Sequence, residues 1–290
     1  MKTNIPDHRQ FAYLNWHQVD ALPRDRTLLI LPTAAIEQHG PHLPLATDTL
    51  NNNTLLGRAL TLLPADAPFY ALPPLCYGKS NEHIGFPGTL SLSASTFMAT
   101  IRDIGQSLHS AGFQRLALFN THGGNSSLVD VMARDLRAEF GLRTFTIFGS
   151  AGAKFEGLNP QERTYGFHAG ELETAWLLAA TPELVDTTAY TANYIAYIDG
   201  WSKEGQASRA QGPEDPYSGP SALVPEPSLL APENGAANFA WLTRDIAPSG
   251  VMGDPTPATA ANGELWLSAA AERIAAVLTE ILTFEGPGNP

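Results

Sequence analysis

Thr27–Leu31 (TLLIL), apolar after its β-branched first residue, reads as a buried strand, and from Leu50 to Leu63 apolar residues recur at helical spacing until Pro64 stops the pattern. Phe69–Leu72 reads as a second strand. Ser93 can cap a helix from about Ala94 to Ala111 that closes at Gly112, and Arg115–Phe119 is again strand-like. A helix beginning at Ser126 or Ser127 ends at Gly141, and Arg143–Phe148 reads as a strand. Gly170–Ala180 reads as a helix cut off before Pro182, and Gly263–Phe284 as a long closing helix. Strands and helices alternating at this length predict βαβ crossovers and a mainly parallel sheet covered on both faces, a layered α/β/α fold. In such a sheet a ligand site lies outside the carboxyl ends of the strands. Residues 190–260 break the pattern, with prolines at 213, 216, 220, 225, 227, 232, 248, 255 and 257. The chain therefore reads as one domain over 1–290 with a proline-rich insertion or lid at about 190–260.

Composition narrows the partners. A formal charge of −12, from 29 acidic against 17 basic residues and without a Lys/Arg cluster, argues against a nucleic-acid partner. The 43% hydrophobic content supports a sizeable core, and the single cysteine excludes an intramolecular disulfide and a Cys-based zinc site. The first residues, MKTNIPDHRQFAYLNW, carry neither a basic n-region nor an apolar h-region, and nowhere do 18 apolar residues run together. The expectation is a soluble, cytoplasmic protein with no membrane partner.

The chemistry concentrates where two strand-like runs end. The first empties into AAIEQHGPHLPLATD, which carries Glu37, His39, His42 and Asp48. The second, RLALFNTHGGNSS, delivers His122 into a glycine-rich turn, where Asn125 can cap the helix that follows. Carboxylates and imidazoles at adjacent strand ends form the donor set of a divalent metal site of nitrogen and oxygen ligands. Glu37 and His39, two apart, leave the same face of an extended segment. A third constellation, FHAGELET, places His168 before a helix and Glu171 in its first turn, three residues on, with Glu173 pointing elsewhere. It brings a further carboxylate ligand together with an imidazole able to transfer protons. His42 suits bracing the loop or facing substrate. No G-x-S-x-G elbow, P-loop or G-x-G-x-x-G fingerprint is present, which leaves serine-hydrolase and nucleotide chemistry without support.

The runs EQHGPHLPLATD, NTHGGN and HAGELETA resemble the three motifs of the creatininase family of metal-dependent amidohydrolases, and GFPGT (Gly85–Thr89) is a further family-like run. The resemblance covers roughly Leu28 to Pro182 plus the closing helix. It implies a layered α/β fold, often a homohexamer, and two divalent ions per chain, zinc first, with manganese or iron as alternatives. By the same resemblance Glu37 and His39 would bind different ions, Asp48 would bridge them, and His122 would join Glu37. Creatininase carries a Tyr and a Glu in the two positions after the motif histidine, where this chain has Gly123 and Gly124. Members with the H-G-G-N form look as if they recruit the Glu of the H-A-G-E run, which points to Glu171. A tryptophan ahead of the third-motif histidine is missing, since Tyr165, Gly166 and Phe167 stand there. The expected function is therefore metal-assisted hydrolysis of the C–N bond of a small or cyclic amide other than creatinine, with His168 shuttling the proton. The alternatives are a metallopeptidase acting on a short peptide and a non-catalytic metal-binding assembly protein.

Overall fold

Alternate residues along the central strands face opposite hydrophobic cores, and this sorts the helices into two layers. The structure is a computed structural model that describes residues 4–194, 230–231 and 237–286. Strands β1 (Leu28–Thr33), β2 (Phe69–Ala71), β3 (Arg115–Asn120) and β4 (Arg143–Phe148) form one sheet in the order β2-β1-β3-β4. Every pairing is parallel, with Leu28 opposite Arg115 and Thr33 opposite Asn120 between the two central strands. Those two strands are buried along their whole length, which explains their near-continuous apolar sequences.

On one face Leu28, Ile30, Ala117 and Phe119 pack with residues of α2 (Thr47–Leu62), α6 (Glu171–Ala180) and α8 (Ala260–Thr283). On the other, Leu29, Leu31, Leu116 and Leu118 pack with α3 (Ala94–Ser110) and α4 (Ser126–Phe140). The result is the expected α/β/α layering. Two short helices, α1 (Trp16–Asp20) and α5 (Pro160–Tyr165), lie outside this scheme, as does α7 (Thr243–Ile246). A small parallel pair, β5 (Leu230–Ala231) and β6 (Ala237–Asn238), forms a separate sheet. The proline-rich segment expected at 190–260 lies largely outside the described residues. No helix among the described residues is long and apolar enough to cross a membrane.

Two boundaries differ from the sequence expectation in ways that matter for the site. Helix α2 begins at Thr47, not Leu50, so Asp48 stands in its first turn, where the helix dipole favours a carboxylate. One of its buried polar residues, Asn52, joins the strand ends. The Asn52 amide reaches the carbonyls of Thr33 and Phe119 and the Thr121 hydroxyl, each at 3.2 Å. Asn125 does not cap α4 with its side chain. Its amide instead donates to the Ala34 carbonyl (3.1 Å), and its oxygen accepts the Lys79 N–H (2.9 Å), fastening the loop after β2 to the ends of β1 and β3.

Candidate metal centre

After β1 the chain folds back on itself. The Glu37 N–H donates to the Leu45 carbonyl (2.9 Å), His39 and Leu43 form an antiparallel bridge, and Gly40 at the bend takes a φ of +66°. This loop brings Glu37 and His39 over the start of α2, where Asp48 waits. Beyond β3, on the neighbouring strand, His122 enters the same space. All four side chains are nearly fully buried.

The hydrogen bonds of the two imidazoles determine which nitrogen carries a proton. His122 Nε2 lies 2.9 Å from the Lys79 carbonyl, an acceptor only, so Nε2–H donates and Nδ1 is left with a lone pair. That Nδ1 faces Glu37 Oε1 and Asp48 Oδ2, each at 3.3 Å. His39 Nδ1 donates to the Glu37 carbonyl (3.1 Å), leaving the Nε2 lone pair toward Asp48 Oδ1 (3.5 Å) and Glu173 Oε2 (3.9 Å). Asp48 thus turns one oxygen to each histidine. Acceptors face acceptors, and Glu37 Oε2, His39 Nε2 and Asp48 Oδ2 are buried without a hydrogen bond. Buried polar atoms are rarely left so, and cations bound among them would satisfy all three.

The charges of these groups act strongly on one another. Burial opposes charge on His39, but Asp48 and Glu173 raise its pKa to about 9. Burial likewise opposes charge on His122, yet Glu37 and Asp48 lift it well above the ordinary range. Glu37 is raised by burial, but His122 and His83 carry it well below its usual value. Glu173 is raised, by burial first and then by Asp48. A dication replaces protons in such a set, and the charge and donor types fit the divalent metals expected.

His168 is buried between two rings, His39 at 4.0 Å and His83 at 4.3 Å between centroids. Its Nε2 lies 2.6 Å from the Gln38 carbonyl, so Nε2–H donates and Nδ1 is free, 3.7 Å from Glu37 Oε1. Burial first, then His39 and His83, push its pKa well below the usual value and keep the ring neutral.

Glu171 departs from the expectation. Its carboxylate turns away and accepts the Asn159 N–H (3.3 Å), and no cluster of potential ligand atoms among the described residues includes it. Glu173 is the helix acid that meets His39 and His168. His168 and Glu171 would share a face only if helical geometry held from His168 onward. Instead Ala169 adopts a φ of +55°, Gly170 is extended, and the helix begins only at Glu171. Three-residue spacing across that reversal does not put two side chains on one face.

Other residues reach the site without a signal at a strand end. His83 Nε2 stands 3.3 Å from Glu37 Oε1, while its Nδ1 meets the Gln38 amide and the Thr243 hydroxyl, both at 2.8 Å. Glu82 Oε1 lies 3.5 Å from His122 Nε2 and fills space that a Cβ on Gly124 would invade. Both residues lie just ahead of the GFPGT run, with Ile84 between, and that is their only signal in the sequence. His42 braces its loop: Nε2 contacts the Thr174 hydroxyl (2.9 Å), and its carbonyl accepts the Asp186 N–H.

Comparison with known proteins gives a consistent picture. The pattern of the family described as creatininase, creatinine amidohydrolase, matches residues 12–278. A mycofactocin precursor peptide peptidase of Mycobacterium ulcerans is 32% identical over 248 residues, 83% of this chain and 80% of the relative. The creatinine amidohydrolase of Pseudomonas putida is 33% identical over 196 residues, 60% of this chain and 72% of the relative. Among solved structures, a mutant creatininase complexed with creatine superposes with a TM-score of 0.69 at 23% identity, covering 95% of this chain and 99% of the other.

Proposed function

The chain belongs to the creatinine amidohydrolase family and is a hydrolase, and from that premise we propose that its buried donor set holds two divalent ions and hydrolyses the C–N bond of a small or cyclic amide. The observation that carries this reading is the convergence of lone pairs from Glu37, His39, Asp48 and His122, three of their atoms buried without a hydrogen bond. Glu37, Asp48 and His122 would hold one ion, and His39, Asp48 and Glu173 the other. Zinc is the first candidate, with manganese or iron next. Bound divalent ions bring water's pKa toward neutrality and polarise a carbonyl, so a side-chain nucleophile is not required.

The protein's own groups do the rest. The Lys79 and Glu37 carbonyls hold the protons of His122 and His39 on their outer nitrogens, fixing the inner lone pairs in place. The Gln38 carbonyl does the same for His168, leaving Nδ1 to take a proton and return it to the leaving nitrogen. Burial of the closely packed rings of His39, His168 and His83 would keep water from that path.

A second substrate class, a short peptide, is favoured by one observation: the relatives named as peptide peptidases align over 83% of this chain, against 60% for the creatinine amidohydrolase. The test is a screen of zinc- or manganese-loaded protein against lactams, cyclic ureas, formamides and short peptides, with metal content measured alongside. Turnover confined to peptides would move the reading to the second class, and fully loaded protein with no amide turnover would overturn it. The homo-oligomer, a hexamer by family resemblance, belongs to the same reading and is checked by light scattering.

A further inference from the structure

Glu162, on the short helix α5, is 4% exposed and lies outside every cluster of potential metal ligands among the described residues. Its carboxylate nevertheless gathers three donors from three segments. Oε1 accepts the Glu171 N–H at 2.7 Å, and Oε2 accepts the Asp254 N–H at 3.1 Å and the Tyr194 hydroxyl at 3.2 Å. Three glycines enclose it: a Cβ on Gly166, Gly170 or Gly253 would collide with the Glu162 side chain. Sequence and structure are fitted to this one carboxylate from several sides.

What it holds is the reversal that aims Glu173. Helix α6 starts after Gly170, which has no side chain to accept the free N–H groups of the first turn, and Glu162 supplies an acceptor from another helix. The preceding residue, Ala169, sits in the left-handed region, a conformation that is strained for a residue with a Cβ and persists only where its surroundings hold it. The Ala169 N–H in turn donates to Glu173 Oε2 at 2.7 Å, so the turn and the orientation of Glu173 are linked by one bond. Main-chain bonds from His168 to Met252 and from Asn193 to Gly253 bring the other two donor segments against the same turn.

We propose that Glu162 is a positioning residue for the metal centre, fixing the His168–Glu171 turn so that Glu173 faces His39, and that it ties Tyr194 and Asp254 to the same turn. The proposal rests on the reading that Glu173 binds an ion. Loss of a residue that orients a ligand typically weakens metal binding by about 10–100-fold.

The experiment is zinc titration by calorimetry of the full chain, with circular dichroism as the check on folding. Glu162→Ala should weaken one of the bound equivalents by about tenfold or more and leave the other within a fewfold. Glu162→Gln, which fills the same space and keeps one acceptor oxygen, should fall between Ala and the parent, and it carries the test if the alanine variant does not fold. Glu173→Gln should weaken the same equivalent, and adding Glu162→Ala to it should cost little more, because both act on one ligand. A merely structural role gives a different result: lower thermal stability with both zinc affinities unchanged, or fully additive effects in the double variant, either of which overturns the proposal. A parent that binds no zinc overturns the metal-centre reading and this inference together, whereas a parent that binds two ions beside an unchanged Glu162→Ala overturns the inference alone.

Discussion

Glu171 and Glu173 stand two residues apart at the start of one helix and serve opposite sides of it: Glu173 Oε2 lies 3.9 Å from His39 Nε2, while Glu171 Oε2 accepts the Asn159 N–H at 3.3 Å. The division follows from the left-handed Ala169 and the late start of α6. It leaves Glu173, not Glu171, beside His39 and His168.

Gly124 is required for His122 to keep its place. A Cβ there would meet the Glu82 carboxylate, the Lys79 carbonyl and His122 Nε2, and a backbone carbonyl cannot swing aside as a side chain can. Gly124→Ala is expected to cost about 1–3 kcal/mol of stability, the range for overpacking, and to weaken metal binding. Gly123→Ala, with nothing within 4 Å of its Cβ, is the control. Thermal melts and zinc titrations of the two variants check this, and equal behaviour would refute the steric argument.

His168→Ala separates proton transfer from metal binding. Its free Nδ1 is 3.7 Å from Glu37 Oε1 and its ring lies beside Glu173 and His39, while Glu37, His39 and Asp48 converge without it. Both ions should stay bound while turnover of a cleaved amide falls by about 10²-fold or more. Loss of an ion would make His168 a ligand. Unchanged turnover would make it structural.

Glu162 should leave a signature in stability against pH. Burial pushes its carboxyl from 4.5 to about 7, against the lowering effect of its three donors, and Glu171, Asp254 and Tyr194 are the titratable groups that face it. Between those values the folded protein holds a proton that the unfolded chain releases, so this contribution is present in full below about pH 4.5 and is lost as pH rises through about 7. A shift of that size corresponds to roughly 3 kcal/mol. In metal-free protein, Glu162→Gln should therefore gain on the parent by up to about that amount between pH 4.5 and 8. Urea unfolding at several pH values measures it, and a constant difference between the two proteins would contradict the assignment.

Much of the frame was legible because its signals are local. β1 and β3 are buried on both faces, so their apolar runs stand out, and the parallel arrangement follows from the helices between them. The candidate residues Glu37, His39 and His122 drew notice for the same reason, each lying a few residues beyond such a strand. Asp48 was found by type and spacing, although it proved to belong to the first turn of α2 and not to a loop. Other features depend on contacts far along the chain. Asn125 reads as a cap, but the structure gives its amide the carbonyl of Ala34, 91 residues away. Glu173 could not be separated from Glu171 without knowing that Ala169 takes a positive φ, a conformation that nothing in an alanine announces. Glu162, whose donors come from Glu171, Tyr194 and Asp254, gave no local signal at all.

The central claim is that this donor set is a metal centre completed by Glu173. The direct measurement is the metal content of parent, Glu173→Gln and Glu171→Gln proteins after loading with zinc and removal of free ion. The account predicts close to two ions per chain in the parent, loss of about one in Glu173→Gln because a neutral amide is a poor ligand for the dication, and no loss in Glu171→Gln. Trace metal in the loaded parent, or loss of an ion from Glu171→Gln with Glu173→Gln unchanged, would contradict it.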